Sequence, residues 1–259
     1  MTCTDFGARQ YDPALPRWLT MDPLAEKYYG ASPYMYCVGN PVCMVDPLGR
    51  DMYLFNSQGE YVCKIGMKGE HRIAKETIRK NDDGSSFSQY SIYAFADPEN
   101  DPLEIDNGTI DRIISVTNGE IEEMLSKQNV FKDNRLAIAY KSTGSRGYDY
   151  TSSTLVNKYR NVAQVEKDGR IVRSKALFLP EGESTVHNLI FGNFLWGATG
   201  YTLGYQTNTL LLGANINSLC NPIANGYRPQ LDAEDDQRSI ELGADYAKRL
   251  NFRAKRTRK

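Results

Sequence analysis

His187 is the side chain of this sequence best suited to acid–base chemistry. The chain of 259 residues contains two histidines, His71 and His187. Imidazole is the side chain whose ordinary pKa lies near neutrality. His71 lies in the polar stretch KGEHRIAKE, which is typical of an exposed segment, whereas His187 comes just before an apolar, glycine-rich block. We therefore expect His187 to be a proton-transfer catalyst, with a histidine held by a structural hydrogen bond as the alternative.

Three aspartates could share that chemistry. Asp149 follows Tyr148, and Asp235 and Asp236 precede a segment with helical character. A carboxyl group can act as an acid, a base or a metal ligand, but aspartate also caps turns and helix N-termini. Asp149 therefore either orients a catalytic group or caps a turn. Asp235 and Asp236 either take part in catalysis or cap the last helix.

Cationic side chains near these carboxylates could hold an anionic substrate. Lys141 and Arg146 flank the loop Ser-Thr-Gly-Ser at 142–145, which could bind a phosphate group or could simply be solvated. Tyr148 is a further candidate for substrate contact. Arg238 follows the aspartate pair and could serve either of its two roles.

Composition argues against a metal centre and against a membrane span. The five cysteines show no CxxC spacing and histidines are few, so we expect no zinc site, no other metal and no cofactor. The formal charge of −1 predicts no strong field towards nucleic acid or membrane. The first residues contain no apolar region typical of a signal peptide. Gly200 and Gly204 have the spacing of packed membrane helices, but polar residues interrupt the run, which favours a buried helix pair without stable membrane insertion.

Turn residues and apolar periodicity predict the elements that position these side chains. Residues 51–66 and 161–180 read as hairpins, and a polar loop at 81–86 precedes a strand. The acidic stretch 97–108 is expected to be a loop or linker, and residues 109–129 to be mostly helical. We further expect a short strand at 136–140, buried helices within 188–219, and a last helix from Asp235 to about Leu250, followed by a basic tail that frays.

The first fifty residues carry a specific resemblance. They contain Phe6-Gly7-Ala8-Arg9, Tyr11-Asp12-Pro13, Arg17-Trp18, Asp22-Pro23, Ser32-Pro33-Tyr34, Asn40-Pro41 and Asp46-Pro47-Leu48-Gly49. In this order the segment at 5–50 closely resembles the repeat-associated core of Rhs/YD-repeat proteins. The resemblance implies a place in a large machine, in which a β-shell that this chain lacks encloses a variable toxic tip.

The same resemblance implies self-cleavage. In some Rhs proteins two core aspartates cut the chain after the D-P-x-G motif, and the matching positions here are Asp22, Asp46 and Gly49. Two close carboxyl groups, one protonated and one ionised, would be needed to activate water. The segment after Asp22 reads Pro23-Leu24-Ala25 and lacks the glycine of the stricter motif. The alternative is that Asp22 and Asp46 cap turns beside their prolines.

The C-terminal half is similar to a second family. Gly147-Tyr148-Asp149-Tyr150, Phe191-Gly192-Asn193-Phe194, Gly197-Ala198-Thr199-Gly200 and Asp235-Asp236-Gln237 resemble, in order and spacing, the polymorphic-toxin family bacterial toxin 44. The resemblance implies a ribonuclease, for which the residues would supply a base for the 2′-hydroxyl, an acid for the leaving oxygen and a cation for the phosphate.

Together these observations predict an α+β protein: a short β-rich Rhs core remnant at 1–50, a β-rich connection at 51–108, a mixed toxin-like domain at 109–250 and a basic tail at 251–259. We expect a metal-independent ribonuclease of interbacterial competition that is neutralised by a cognate immunity protein. It is expected to be exported or associated with the cell envelope through a secretion system and to act in the target-cell cytoplasm. A non-catalytic or decayed tip and a membrane-active toxin are the alternatives.

Overall fold

The chain forms two compact units, residues 1–94 and 95–259. The computed structural model of the chain describes residues 4–5, 10–12, 14–15, 17–21, 32, 34, 51–66, 70–142, 146–165, 171–220 and 229–256. Helices and a mixed sheet are both present, so the α+β prediction is confirmed. The division falls between Ala94 and Phe95, whereas the sequence suggested boundaries at 50 and 108.

The first unit is built from strands. Three short ones, β1 (Thr4–Asp5), β2 (Gln10–Asp12) and β3 (Arg17–Trp18), pair in antiparallel order. The longer strands pair in the order β7-β6-β4-β5 and are β4 (Asp51–Phe55), β5 (Tyr61–Gly66), β6 (Arg72–Lys80) and β7 (Ser86–Phe95). Asp22, Asp46 and Gly49 lie outside the described residues.

Local turn chemistry sets the hairpins of this sheet. Gly59 donates its N–H to the Asn56 carbonyl oxygen and has φ 84°, a left-handed conformation that glycine adopts without strain. Gly84 repeats this arrangement, with φ 83°, between β6 and β7. The predicted hairpin at 51–66 and the polar loop at 81–86 are thus confirmed. Strand β4 pairs with β5 on one side and with β6 on the other, so its apolar residues are continuously buried.

The second unit mixes short strands with longer helices. Its strands are β8 (Arg112–Val116), β9 (Ala163–Val165), β10 (Ile171–Ser174), β11 (Ala176–Pro180) and β12 (Thr185–Val186). A π-helical segment (Thr151–Leu155) accompanies the helices α1 (Asp101–Asp106), α2 (Asn118–Lys127), α3 (Ala137–Lys141), α4 (Val156–Lys158), α5 (Phe191–Thr202), α6 (Thr207–Cys220), α7 (Glu234–Arg249) and α8 (Phe252–Lys255).

Several predicted elements of this unit are confirmed. Strands β9 and β10 pair antiparallel as the predicted hairpin, and α7 ends at Arg249. Helices α5 and α6 occupy the apolar block as predicted, but only α5 is largely buried, because α6 exposes Leu212, Ile216 and Leu219. Helix α7 begins after Ala233, whose side chain provides no cap. Asp235 and Asp236 are therefore not its cap residues but lie within its first turn. Carboxylates in that turn interact favourably with the helix dipole.

Three predicted elements are wrong. The stretch at 97–108 contains helix α1, residues 112–116 form a strand, and 136–140 falls in and beside helix α3. Strand β8 is stabilised by parallel pairing with the distant β11, which local periodicity does not reveal. The helix predicted over 109–129 starts only after Thr117, where Thr117 and Glu120 form a capping box. In α3, Ala137 and Ala139 favour helix over strand.

The basic tail is folded as far as Arg256. Asn251 has φ 54°, which reverses the chain after α7 and allows α8 to form. Phe252 is fully buried and meets the rings of Phe131 and Tyr246 edge-on. The prediction that this tail frays is therefore wrong for the residues that the structure describes, because one buried aromatic side chain anchors the segment.

Helices α5 and α7 pack with their backbones in direct contact. A Cβ atom added at Gly197 would lie closer than 3.0 Å to the carbonyl oxygen of Ile240, and one added at Gly243 would lie as close to that of Phe194. Each glycine thus allows the backbone of the other helix to approach directly.

We expect Gly243→Ala to destabilise the chain by about 3 kcal/mol or more, because the new methyl group meets backbone that cannot rotate away. Urea unfolding followed by circular dichroism measures the loss. Gly119→Ala is the matched control: no atom lies within 4 Å of its added Cβ, and alanine favours helix by up to ~1 kcal/mol. Equal unfolding midpoints for the two variants would contradict the contact.

Candidate functional site

A cavity of about 930 Å³ lies beside the α5–α7 contact. Its wall combines carboxyl, amide and hydroxyl groups with aromatic rings, the composition expected of a site that binds and orients a polar ligand. The polar and aromatic residues lining it are Ser142, Tyr148, Asp149, Tyr150, Thr151, Ser152, Asn193, Trp196, Tyr205, Thr209, Asn217, Ser218, Asp232 and Asp236.

Asp236 is the best-positioned acid–base group of this wall. Its Oδ1 accepts a hydrogen bond of 2.7 Å from Nδ2 of Asn193 on α5. Burial, followed by the nearby Asp235 and Asp232 carboxylates, raises the pKa of Asp236 to about 7. The Asn193 bond acts in the opposite direction, because it stabilises the ionised form. Asp236 can therefore both release and accept a proton near neutrality.

Asp232 is fixed next to it by three hydrogen bonds. Its carboxylate accepts from Ser218 Oγ at 2.8 Å and from Gln237 Nε2 at 2.6 Å. Its backbone N–H donates to Asn215 Oδ1 at 3.0 Å. These contacts join the end of α6 to the start of α7, and they hold a negative charge close to Asp236.

Asp149 and two tyrosines form another part of the wall. Asp149 is half-buried, and its Oδ1 accepts from the Ser152 N–H at 3.4 Å, at the start of the π-helical segment. Tyr148 donates its hydroxyl to Asp133 at 2.6 Å, and the Tyr150 hydroxyl is 2.6 Å from that of Thr199. Asp149 thus makes the capping contact and also lines the cavity, so both of its predicted roles are compatible with its position.

His187 lies in the aromatic core. Its side chain is fully buried, with ring centroids 5.1 Å from Phe194 and 6.1 Å from Phe191. Nδ1 is 3.0 Å from the Ser239 hydroxyl, and Nε2 has no hydrogen-bond partner among the described residues. Burial lowers the pKa of His187 to about 3, so its imidazole is neutral near pH 7. In the described chain it is not part of the cavity wall.

The remaining predicted site residues also lie away from the cavity wall within the described chain. Lys141 donates to the Asp133 carboxylate, and Arg146 donates to the Tyr140 carbonyl oxygen at 2.9 Å. Arg238 donates to the Ala96 carbonyl oxygen at 2.7 Å. Asp235 is half-buried, and burial together with Asp97 raises its pKa. Of the predicted residues, the structure therefore brings Tyr148, Asp149 and Asp236 together.

Three side chains of the cavity wall were not named as site candidates from the sequence, although Asn193 lies in one of the motifs that carry the toxin resemblance. Asn193 fixes Asp236, Asp232 adds its charge, and the Trp196 Nε1–H donates to Ser142 Oγ at 2.7 Å on the cavity wall. The available signal was the presence of Asn193 in an otherwise apolar helix, because a polar side chain there needs a partner. Asp232 carried no comparable signal.

The described residues lack two further features. They contain no group of three or more His, Cys, Asp or Glu side chains placed to hold a metal ion. Within the same ranges, no helix combines the length and apolar character needed to cross a membrane.

We expect Asn193→Ala to raise the pKa of Asp236 above about 7, because the substitution removes the hydrogen bond that favours the carboxylate. The shift is measured as the midpoint of the Asp236 carboxyl ¹³C resonance during a pH titration. Asn157→Ala is the control, since its exposed amide donates to the Ser153 carbonyl oxygen. An unchanged midpoint in Asn193→Ala would refute the role given to Asn193.

The comparisons with known proteins bear on the same part of the chain. Residues 148–249 match the family model described as Bacterial toxin 44. No curated protein and no solved structure matches the chain. The matched segment includes Asp149, Asn193 and Asp236, and it contains most of the cavity wall. The toxin part of the resemblance is thus confirmed: residues 148–249 are similar to a bacterial toxin domain.

Proposed function

We propose that the second unit is a toxin that cleaves RNA by acid–base chemistry in the cavity, with Asp236 and Asp149 as the reacting carboxyl groups. The observation that carries this proposal is the position of Asp236. It lies on the wall of a cavity, held by Asn193, in a segment that matches a toxin family. No metal or cofactor is required by this chemistry.

The reaction needs two proton transfers. A base takes the proton of the ribose 2′-hydroxyl while its oxygen attacks phosphorus, and an acid protonates the departing 5′-oxygen. The products are a 2′,3′-cyclic phosphate and a free 5′-hydroxyl. Asp236 suits one of these transfers because its pKa of about 7 matches the pH at which the group must work. Asp149 on the same wall is the candidate for the other.

His187 takes a different part in this proposal. Its buried ring cannot touch a substrate in the cavity, so we assign it to the core and to the placement of α7 through Ser239. Lys141 and Tyr148 share Asp133 and support the wall rather than the reacting atoms. Arg146, Arg238 and Asp235 are proposed to support the residues they contact and not to touch the substrate.

The setting of the toxin is proposed from the resemblance at 5–50. We propose that the chain is the tip of an Rhs protein, exported within an Rhs shell and active in the cytoplasm of a target cell, where a cognate immunity protein would block it. Cleavage after Gly49 by Asp22 and Asp46 belongs to the same proposal. Intact mass measured on the chain co-expressed with its shell tests that cut, with Asp46→Asn as the uncut control.

We expect Asp236→Asn to lower kcat/KM for cleavage of a single-stranded RNA by at least ~100-fold, the usual range for a general acid or base. The measurement uses the purified full chain and denaturing gel analysis of fragments. In the unsubstituted chain, kcat/KM should change through an inflection near pH 7 that the variant lacks.

His187→Phe serves as the comparison, since it keeps an aromatic ring in an aromatic environment. It should retain cleavage in molecules that remain folded by circular dichroism. Loss of cleavage in a folded His187→Phe chain would return the catalytic role to the histidine. Intact RNA with the unsubstituted, folded chain would instead favour a decayed or structural tip, or a membrane-active toxin if liposomes leak.

A further inference from the structure

We propose that Arg135, Arg253 and Arg256 form a phosphate-binding rim beside the cavity, on which the backbone of single-stranded RNA lies. This inference rests on the proposed function and assigns the substrate contact that the cavity itself does not supply. We call these three side chains the arginine rim.

The charge of the cavity wall makes such a rim necessary for RNA. Among the described residues, the wall carries the carboxyl groups of Asp149, Asp232 and Asp236 and no lysine or arginine. A phosphodiester that approaches this wall is repelled unless cations nearby balance its charge. Lys141, a candidate for phosphate binding in the sequence, is already paired with Asp133. The balancing cations must therefore lie at the edge of the cavity.

Arg135 occupies such an edge position. Its guanidinium lies 4.6 Å from the ring centroid of Tyr205, a residue of the cavity wall. The Tyr205 hydroxyl donates to the Arg135 carbonyl oxygen at 3.1 Å, so the two residues are linked at both ends. Gly204, with φ 104°, turns the chain there, and the Arg135 side chain passes over it. Arg135 is exposed, which leaves its guanidinium accessible to a ligand.

Arg253 and Arg256 extend the positive charge from the same turn. Arg253 stacks on Tyr201 at 3.8 Å and donates to the carbonyl oxygens of Tyr201 and Tyr205. Arg256 donates to the carbonyl oxygens of Leu203 and Asp133. All three guanidinium groups thus surround the segment that follows α5, where the negative end of the helix dipole favours cations.

The positive charges of the arginine rim are not neutralised by carboxylates of the described chain. In the part of the chain that the structure describes, none of the three arginines forms an ion pair with a carboxylate. The carbonyl bonds use two of the five N–H donors that each of Arg253 and Arg256 carries. A planar guanidinium with unused donors matches the oxygens of a phosphate group. Backbone contacts of this kind hold RNA without reading its sequence.

The test measures binding separately from cleavage. Fluorescence anisotropy is recorded for a labelled single-stranded RNA with the full chain carrying Asp236→Asn, over a series of salt concentrations. Adding Arg135→Ala should weaken binding roughly tenfold at low salt and reduce the slope of log K against log salt by about 0.7, the value of one phosphate contact on a single strand. Arg135→Lys, which keeps the charge, should restore most of the slope.

The control is Arg160→Ala, which removes the same charge from an exposed side chain that contacts Asn157 instead of Tyr205. It should leave the slope unchanged. Arg253 and Arg256 also donate to carbonyl oxygens at the end of α5, so their alanine variants would disturb folding as well as binding, and the test therefore rests on Arg135.

The outcomes separate this inference from the proposed function. RNA cleavage with binding that is indifferent to Arg135 would overturn the arginine rim and leave the ribonuclease standing. Binding that depends on Arg135, but without cleavage, would support the rim and remove the assigned chemistry. RNA that is neither bound nor cleaved overturns both, and points to an uncharged substrate for the acidic cavity.

Discussion

The direct backbone contact between α5 and α7 is the constraint on which the rest of the second unit depends. Gly197 and Gly243 remove the side chains that would hold these helices apart. Asn193 lies one helical turn before Gly197, and Asp236 lies one turn before Ile240. The same approach that joins the two backbones therefore brings the Asn193 amide against the Asp236 carboxylate. A larger separation would leave that carboxylate solvated, with an ordinary pKa.

Asp236 on α7 and His187 just before α5 both lose stabilising energy when they ionise, Asp236 as pH rises and His187 as pH falls. Burial raises the folded pKa of Asp236 to about 7, so stability present at acidic pH is lost as pH rises from the unfolded value towards 7. Burial lowers the folded pKa of His187 to about 3, so stability present above its unfolded pKa is lost as pH falls. Asp101, fully buried and bonded to Asn188, acts in the same direction as Asp236. An unstable arrangement of this kind is common at functional sites.

The segment after α5 connects the core to the charged surface. The helix ends near Leu203, and its last carbonyl groups accept hydrogen bonds from the arginines of the C-terminal segment. Buried Phe252 supplies the anchor that keeps those arginines in place. Positive charge is thereby placed near a cavity whose own wall is acidic. In the proposed function, the carboxylates of the cavity wall react while the arginines at its edge hold the RNA backbone.

The sequence by itself determined the features that depend on neighbouring residues. Asn56 to Gly59 and Asn81 to Ser85 specify tight turns, the apolar run after Asn188 specifies helices, and the acidic pair at Asp235 marks a helix start. The order of short motifs likewise indicated the similarity of residues 148–249 to a toxin family. Each of these properties is set within a few residues along the chain.

Only the tertiary structure decided which polar groups share an environment. The sequence favours His187 over Asp236 as the catalyst, but the fold buries the imidazole between phenylalanine rings and places the Asp236 carboxyl on a cavity wall. Strand β8 exists because β11 pairs with it across some sixty residues, and the basic tail is ordered because Phe252 finds a core to enter. The burial of a side chain, the charges near it and its hydrogen-bond partners all depend on contacts with segments that are distant in the sequence. A sequence therefore shows which side chains could react, while their packing determines which of them can.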